Sequence, residues 1–454
     1  MTQRMHQYDA RMVDLVFDYM RERLQYDPVP LDHPGEGERL SGVLDGLLNA
    51  RGNDPADVLK LYDHELSRAV ISADSPRYLS FIPCAPTKAA LLFDMVVSCA
   101  SLQGISWLEA AGAIAAENQV LRLISDRAGL PESAGGCFVS GGSAGNLSAL
   151  VVARDTARHR LGLASGARMR IAVSDQTHSS VTNTLNIIGV EKLLVPTSDH
   201  RLTGAALRAA LAADTDPAPV IGVVGTAGTT NAGIVDDLAG IAEVARELDL
   251  WFHVDGAYGG AGLFAPSVRA KYDGIEHADS FVVDPHKWLF APFDCAALIY
   301  RRPWLAKGVH TQDASYLDVL HTGDNEEWNP TDYAYHLTRR ARGLPLWFSL
   351  AVHGTDAYSE AIETGIGLAR DTAALIRAEY PDLEVVRDPE LSSVVYRRRG
   401  WAAQDYYDWS QRLLADQIGF VTPTGWEGEV VARFAFLHPG TTMEMVREIL
   451  DTMV

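Results

Sequence analysis

Short apolar runs alternate with helix-like stretches through the middle of the chain. Between residues 135 and 300, seven runs rich in valine, isoleucine, leucine and phenylalanine are bounded by glycine, proline or polar residues, as buried strands are. Runs with helical spacing, such as NLSALVVARDTARHRL, lie between several of them. Strand and helix in alternation predict an α/β fold with a mainly parallel seven-stranded sheet and helices on both faces. The candidate strands are GCFVSGG, RIAVSD, EKLLVP, VIGVVGTAG, LWFHVDG, SFVVDP and CAALIY.

The two ends of the chain have a different pattern. Residues 9–24 carry an apolar stripe at helical spacing, and a segment rich in proline, glycine and acids follows. We predict an N-terminal helical arm over residues 1–60, which either covers its own domain or packs on a partner subunit. A large domain over residues 61–345 follows. Long helical stretches and two short strand candidates, LSSVVYRRR and VVARFAFL, then predict a small C-terminal α/β domain over residues 346–454.

Composition and charge narrow the functional class. Hydrophobic residues make up 47% of the chain and charged residues 22%, as in globular proteins. The formal net charge of −20 argues against a nucleic acid or an anionic membrane as partner. The four cysteines lie far apart and form no CxxC pair, so we expect neither a disulfide framework nor a metal site.

The expected location is the cytoplasm, with no membrane segment. The first 20 residues carry charges where a signal peptide needs an apolar core. The longest apolar stretch, residues 89–102, contains Asp94 and is shorter than the roughly 20 residues that span a bilayer. Unpaired cysteines are typical of a reducing compartment.

Polar residues follow several of the candidate strands, where the chemistry of such sheets collects. The turn in VSGGSAGNLSAL, residues 139–150, offers backbone N–H groups and Ser143 to a phosphate, although a tight turn with a serine cap has the same sequence. Asp255 ends the strand LWFHVDG. A carboxylate there needs a positive partner, which a protonated ring nitrogen, a helix N-terminus or an arginine could provide.

Two further strands end in residues with two interpretations each. His178 could stack on a planar cofactor or contact a substrate carboxylate, and it could equally be a loop histidine. Thr226 could cap a helix or contact a ring substituent.

Lys287 completes the set, in SFVVDPHKWLF. Apolar surroundings there favour the neutral amine that forms a Schiff base. Pyridoxal 5'-phosphate needs such a lysine, a carboxylate for its ring nitrogen and an anion cradle for its phosphate. Together the sites indicate this cofactor.

The ordered motifs GGSAGN, SDQTHSSV, VVGTAGTT, HVDGAYGG and DPHKWLFAPFDC resemble those of the group II pyridoxal-phosphate decarboxylases, which include the aromatic-L-amino-acid and glutamate decarboxylases. The resemblance implies fold type I and a homodimer with the active site at the subunit interface. It also implies that Lys287 binds the cofactor covalently, that Asp255 pairs with the ring nitrogen, and that His178 and Ala257 flank the ring. The remaining contacts that it implies are Ser143 and Ala144 to the phosphate, with Thr226 and His286 as further polar contacts.

The implied reaction is decarboxylation of an L-amino acid to an amine and CO₂. In the family a loop tyrosine often donates the proton to the carbanion. Tyr333 is our candidate, followed by Tyr335 and Tyr316, and each has the alternative of being an ordinary loop aromatic.

The strip PRYLSFIPCAPT resembles the substrate pocket of the family and predicts an apolar wall. Such a wall favours an aromatic or large apolar substrate, because an acidic one would need buried basic partners. Arg77 and Lys88 flank the strip and leave an acidic substrate open. The predicted wall consists of Phe81, Ile82, Pro83 and Cys84.

Two enzymatic alternatives are decarboxylation coupled to oxidative deamination, which yields an aldehyde, and transamination. From a different class comes a regulator that keeps the fold as a cofactor-binding module. A regulator of this kind usually carries a basic DNA-binding segment, and the acidic chain offers none.

Overall fold

The computed structural model describes residues 4–312 and 327–453, and these contain the predicted sheet. Within them the strand order is β1-β7-β6-β5-β4-β2-β3, with β7 antiparallel to both neighbours and the other pairs parallel. The prediction of a mainly parallel seven-stranded sheet is confirmed, and every candidate strand forms. The strands are β1 Gly135–Val139, β2 Arg170–Ser174, β3 Glu191–Val195, β4 Val220–Thr226, β5 Trp251–Asp255, β6 Ser280–Val283 and β7 Ala296–Tyr300.

Helices precede, connect and follow these strands. In the described part of the chain they are α1 Ala10–Leu24, α2 Gly37–Leu44, α3 Pro55–Leu61, α4 Lys88–Cys99, α5 Trp107–Arg127, α6 Gly142–Arg160, α7 Ser179–Ile188, α8 Gly204–Ala213, α9 Leu238–Glu247, α10 Pro285–Trp288, α11 Pro303–His310, α12 Leu344–Glu379, α13 Ala403–Ala415 and α14 Met443–Asp451.

The large sheet has a hydrophobic core on each face, because successive side chains of a strand point to opposite sides. On β7, Ala297 and Ile299 join the core under α5, α9 and α12. Ala296, Leu298 and Tyr300 join the other core, under α6, α7 and α11. The sheet is therefore buried on both faces, which explains why its strands are continuous apolar runs.

A second sheet lies near the C-terminus. Its strand order is β10-β11-β9-β8, antiparallel throughout, and α12, α13 and α14 pack on it. The two predicted strands form here as β9 and β11, whereas β8 and β10 were not predicted because each has three residues. Helix α12 contains Gly354 at φ 74°, outside helical geometry, so two helical pieces meet there. The strands are β8 Leu383–Val385, β9 Ser393–Arg398, β10 Thr424–Trp426 and β11 Glu429–Ala435.

The N-terminal helix was predicted over residues 9–24 and forms as α1. Asp9 caps it, because its side chain accepts a hydrogen bond from the N–H of Met12. The domain limits at residues 60 and 345 stay predictions. No helix in the described ranges is long and apolar enough to cross a membrane.

Candidate active site

A cavity of about 350 Å³ lies at the carboxyl ends of β4, β5 and β6, beside the first turn of α6. Strand register brings the strand-end residues together, since Thr226 pairs with Asp255 and Asp255 with Val282 on neighbouring strands. The sheet therefore gathers residues from five separate motifs. The predicted site residues that line this cavity are Ser143, Ala144, His178, Thr226, Asp255, Ala257, His286 and Lys287.

The first turn of α6 forms one wall of the cavity. Its N–H groups at Gly142 and Ser143 precede the first intrahelical bond, which Ala144 donates to Gly141. A Cβ on Gly142 would lie 2.9 Å from Cβ of Ala257, so the helix start is in close contact with the turn after β5. Glycine is required here by close packing, and the exposed N–H groups suit an anion.

Asp255 is 5% exposed and is held by two hydrogen bonds. Its Oδ1 accepts from the N–H of Ala257 at 3.1 Å, and its Oδ2 accepts from Nδ2 of Asn146 at 2.9 Å. These two donors fix the orientation of the carboxylate. Sequence reasoning missed Asn146, although it lies in the quoted GGSAGN motif, one turn into α6.

A buried chain of hydrogen bonds fixes Asn146 in turn. Since Nδ2 of Asn146 donates to Asp255, its Oδ1 accepts from Nε2 of His253 at 2.8 Å. Nδ1 of His253 then accepts from Oγ of Ser280 at 2.7 Å. Burial lowers the pKa of His253, which keeps this ring neutral. His253 was also missed, and its signal was a histidine inside an apolar strand, on the same face as Asp255.

Lys287 lies in α10 and forms an ion pair inside the cavity wall. Its Nζ is 2.9 Å from Oδ2 of Asp284, whose side chain is 2% exposed. A buried carboxylate therefore stands on one side of this lysine, where we expected apolar surroundings. Asp284 was not among the predicted residues, although it stands in the same motif as Lys287.

His286 is buried beside Asp284. Its Nε2 is 3.7 Å from Oδ2 of Asp284, and its Nδ1 is 2.7 Å from the carbonyl oxygen of Cys295. Burial lowers the pKa of His286. The ring of Phe293, which is 57% exposed, contacts the imidazole and lines the cavity.

His178 caps α7 at the mouth of the cavity. Its Nδ1 accepts from the N–H of Ser180 at 3.2 Å and lies 2.9 Å from Oγ of that serine. Ser180 also accepts from Nδ2 of Asn146 at 3.1 Å. His178, Ser180, Asn146 and Asp255 thus belong to one hydrogen-bonded network. The side chain of His178 is exposed and accessible to a ligand.

Thr226 presents a buried hydroxyl for which no hydrogen-bond partner is found in the described part of the chain. Its backbone N–H donates to Oδ2 of Asp236 at 2.7 Å. Burial raises the pKa of Asp236 to about 7. The backbone hydrogen bond to Asp236 holds the end of β4 in place. It does not involve the hydroxyl of Thr226, which can therefore bind a ligand.

These residues fit pyridoxal phosphate. The cavity offers a primary amine, a carboxylate and a helix start with free N–H groups, which are the parts that this cofactor requires. Thr226 Oγ1 and Asp284 Oδ1 are buried atoms without a partner among the described residues, as expected of atoms that await a polar ligand.

Tyr333 does not reach this cavity. Its side chain is 4% exposed, and its ring stacks on Trp328 with centroids 4.2 Å apart. Its carbonyl oxygen accepts from the hydroxyl of Tyr300 at 3.1 Å. Tyr335 is 51% exposed, and Tyr316 lies outside the described residues. The proton-donor role of a tyrosine stays a prediction, and burial does not favour Tyr333 for it.

The predicted substrate strip does not line the cavity either. Phe81 is 57% exposed, whereas Pro83 and Cys84 are buried and Ile82 is half-buried. Sγ of Cys84 donates to the carbonyl oxygen of Ala291 at 3.1 Å, and burial raises the pKa of this thiol. The pocket role of the strip stays a prediction.

The strip nevertheless lies close to the cavity. Nη2 of Arg433 donates to the carbonyl oxygen of Phe81 at 2.7 Å, and its Nε donates to the carbonyl oxygen of Asn231 at 3.0 Å. Thr230, the neighbour of Asn231, lines the cavity. Arg433 therefore ties the strip to a loop of the cavity wall.

Comparison with known proteins agrees with this site. Residues 41–399 match the family described as the pyridoxal-dependent decarboxylase conserved domain. An aromatic-L-amino-acid decarboxylase of Bacillus atrophaeus is 30% identical over 98% of this chain and 94% of its own length. A 4-hydroxyphenylacetaldehyde synthase of Rhodiola rosea is 29% identical over 81% of this chain and 76% of its own length.

The fold agrees as well. The crystal structure of Oryza sativa TDC with PLP and tryptamine superimposes with a TM-score of 0.90 at 25% identity, over 100% of this chain and 99% of the other. The match to the family covers most of the chain, including every motif that lines the cavity. With a lysine, a carboxylate and an anion cradle in one cavity, the chain belongs to the pyridoxal-dependent decarboxylase family and is a carboxy-lyase that uses pyridoxal phosphate.

Proposed function

We propose that the substrate is an aromatic L-amino acid, which the enzyme converts to its amine and CO₂. The observation that supports this is the make-up of the cavity wall. Among the described residues that line it, Lys287 is the one lysine or arginine, and the large aromatic side chains are the exposed Phe293 and the buried Tyr258. An acidic substrate side chain would therefore lack a basic partner, whereas an aromatic one would find an apolar surface.

The relatives point to the same class. The Bacillus atrophaeus protein carries the name of an aromatic-L-amino-acid decarboxylase, and the Oryza sativa structure holds tryptamine, an aromatic amine.

The chain's own residues have distinct tasks in the reaction. When bound, pyridoxal phosphate supplies a ring that accepts the electron pair left by departing CO₂. Asp255, held in place by Asn146 and Ala257, would pair with the protonated ring nitrogen. Lys287 would provide the amine that binds the cofactor.

A panel of L-amino acids tests the proposal. We expect CO₂ and the matching amine from tryptophan, tyrosine, phenylalanine or dihydroxyphenylalanine, and turnover of glutamate, aspartate and cysteine sulfinate that is lower by at least about two orders of magnitude. Lys287→Ala should lose both the visible absorbance of the bound cofactor and turnover. Faster turnover of an acidic substrate would refute the aromatic assignment.

A second candidate reaction is oxidative deamination coupled to decarboxylation. One observation favours considering it: a relative is named 4-hydroxyphenylacetaldehyde synthase. In this reaction an amino acid, O₂ and water give an aldehyde, CO₂, ammonia and hydrogen peroxide. An oxygen electrode and an aldehyde assay, run beside the amine assay, assign the chemistry.

We also propose a homodimer with the active site at the subunit interface. Helix α4 packs on α12, and both leave apolar side chains exposed: Leu92 is 49%, Val96 is 51% and Val352 is 55% exposed. Exposed apolar groups on adjoining helices are typical of a surface that another subunit covers. Light scattering that gives the mass of one chain would refute the dimer.

A cytoplasmic location is the remaining proposal. The support for it is that Cys84, Cys99, Cys137 and Cys295 are all free thiols, as in a reducing compartment. Fractionation of the source cells tests the location, and recovery in an exported fraction would refute it.

A further inference from the structure

A row of side chains leads along β5 to the cavity. Trp251, His253 and Asp255 are alternate residues of this strand, so they project from the same face, and Asp255 lines the cavity. Strand register pairs His253 with Ser280 on β6. His253 is 0% and Ser280 1% exposed, and polar side chains buried this deeply are costly unless they are hydrogen-bonded. Each polar atom of the row therefore needs a partner of the right kind, a donor for an acceptor.

One end of the row is fixed by a group that only donates. Nε1 of Trp251 donates to Oγ of Ser280 at 2.9 Å, and this indole nitrogen cannot accept. Oγ of Ser280 lies 2.7 Å from Nδ1 of His253, which is the one acceptor for its hydroxyl proton among the described residues. Burial lowers the pKa of His253 and keeps the ring neutral. Since Nδ1 accepts from Ser280, the single ring proton of His253 is on Nε2.

The other end of the row is fixed by acceptors. Nε2 of His253 donates to Oδ1 of Asn146 at 2.8 Å, and the amide nitrogen of Asn146 therefore faces Oδ2 of Asp255 at 2.9 Å. With the proton of His253 on Nδ1 instead, Asn146 would have to turn its amide over and place its oxygen against that of Asp255. The hydroxyl proton of Ser280 would then lack an acceptor among the described residues. Only one direction of donation pairs every atom of the row.

Asn146 also directs a second group of the cavity. Its amide nitrogen donates to Oγ of Ser180 at 3.1 Å, so the hydroxyl proton of Ser180 is free to point at Nδ1 of His178, 2.9 Å away. That nitrogen accepts from the backbone N–H of Ser180 as well, which places the proton of the His178 ring on Nε2. One amide therefore orients both Asp255 and His178, two side chains that line the cavity from different elements.

We propose that His253 is a positioning residue for the cofactor: its Nε2–H holds Asn146 in the orientation that presents Asp255 to the ring nitrogen of pyridoxal phosphate. Ser280 and Trp251 determine this role, because they keep the proton of His253 on Nε2. The proposal rests on Asp255 as the partner of the ring nitrogen, as in the proposed function. It does not depend on which amino acid is the substrate.

An analogue of pyridoxal phosphate with a CH group in place of the ring nitrogen separates positioning from packing. The analogue keeps the aldehyde and the phosphate but has no ring nitrogen for Asp255. The ratio of the dissociation constant of pyridoxal phosphate to that of the analogue therefore reports the contact with Asp255. Each apoenzyme is titrated with both compounds and followed by cofactor absorbance and tryptophan fluorescence.

His253→Leu is the test variant, because leucine is similar in size to histidine and has no donor. We expect the ratio to rise at least about fivefold over the parent, since Asn146 loses the hydrogen bond that orients it. Loss of packing alone would weaken the binding of both compounds equally. Equal weakening, with an unchanged ratio, would therefore overturn the proposal.

Three further variants control this result, and circular dichroism confirms that each is folded. His253→Gln offers an amide N–H near the position of Nε2 and should keep the ratio within about twofold of the parent. His310→Leu removes another buried histidine, whose Nε2 lies 3.1 Å from the carbonyl oxygen of Ser148, and should leave the ratio unchanged. A rise in His310→Leu as large as in His253→Leu would count against the proposal. Asp255→Asn should raise the ratio, and an unchanged ratio there would show that Asp255 does not meet the ring nitrogen and that the proposal is wrong.

Neutron diffraction from crystals of the apoenzyme grown in heavy water locates the exchanged hydrogens directly. We expect deuterium on Nε2 of His253 and none on Nδ1, with the hydroxyl of Ser280 directed at Nδ1. Deuterium on Nδ1 would reverse the direction of donation and contradict the proposal. The panel of amino acids tests the aromatic substrate separately, so the two proposals can fail independently.

Discussion

At the scale of single residues, two sets of side chains build the site in the described part of the chain. One set offers its functional groups to the cavity, and the other fixes the first set by hydrogen bonds. Lys287 and Asp255 can be recognised in the sequence, because each stands at the end of an apolar strand in a recognisable motif. Asn146 and His253 support Asp255 from behind. Asn146 donates to Asp255 at 2.9 Å, and His253 donates to Asn146 at 2.8 Å. Their role depends on contacts between distant segments, which no local pattern reveals.

Asn146→Ala tests this supporting layer. The change removes a donor to the buried carboxylate of Asp255, and the loss of a hydrogen bond to a charged group costs about 1.5–3 kcal/mol. We expect pyridoxal phosphate to bind at least about tenfold more weakly, with an altered absorbance of the bound cofactor. Equilibrium titration with spectra measures both.

Asn186→Ala is the control for that variant, because Asn186 is exposed on the neighbouring helix α7. It should bind the cofactor as the parent does. Equal affinities of Asn146→Ala and the parent would show that Ala257 alone is sufficient to hold Asp255.

At the scale of secondary structure elements, the site depends on how closely α6 approaches the turns after β5 and β6. Gly142 permits that approach on one side, and Gly145 on the other, where a Cβ would lie 2.5 Å from Cγ2 of Val282. The glycines of GGSAGN thus have a packing role beyond the conformational freedom that the motif suggests.

Gly142→Ala should displace the start of α6. Its Cβ would lie 2.9 Å from Ala257 and 3.1 Å from Asp284, and overpacking of this kind costs about 1–3 kcal/mol. We expect a lower melting temperature and weaker binding of pyridoxal phosphate, measured by calorimetry and titration.

Gly112→Ala in α5 is the matched change, because a Cβ there meets nothing within 4 Å. It should leave the affinity for pyridoxal phosphate unchanged, because the added methyl group lies in open space away from the cavity. Equal loss of affinity in both variants would argue against a role for the close approach at Gly142.

At the scale of the whole molecule, buried histidines make stability depend on pH. Burial lowers the pKa of His336 to about 4, and Arg339, Arg342 and His310 act in the same direction. The unfolded chain binds a proton near the ordinary pKa of about 6.5, so it takes up more protons than the folded chain between these values. Stability therefore falls as the pH decreases through this window.

His336→Gln should reduce that acid sensitivity. Relative to about pH 8, His336 alone lowers the free energy of unfolding by about 2 kcal/mol near pH 5. Urea unfolding at the two pH values should show a smaller difference for His336→Gln than for the parent, whereas the exposed His353→Gln should match the parent. An identical pH difference in His336→Gln would contradict the assignment.

The proposed dimer is also a property of the whole molecule. Val96→Glu places a charge on the exposed apolar side of α4, which should weaken association and, with a site at the interface, lower turnover. Leu248→Glu, at a leucine that is 46% exposed after α9, is the control. Light scattering and the decarboxylase assay should separate the two variants, and a Val96→Glu dimer with parental activity would contradict the interface.

The sequence by itself determined the sheet and the cofactor, because each strand is a continuous apolar run and polar residues in recognisable motifs stand next to the strands. It also predicted the residues that line the cavity. Tyr333 and the strip from Phe81 to Cys84 do not line that cavity, and their roles stay predictions.

Only the tertiary structure decided which side chains contact and support the residues that line the cavity. The hydrogen bonds from Ser280 to Asp255 join side chains from different elements, whose distance is set by packing. The ion pair of Lys287 and Asp284 is local in sequence, and packing decided that it is buried. Local pattern determines which face of a strand or helix is buried, but the charge that a buried group meets is fixed by its neighbours in space.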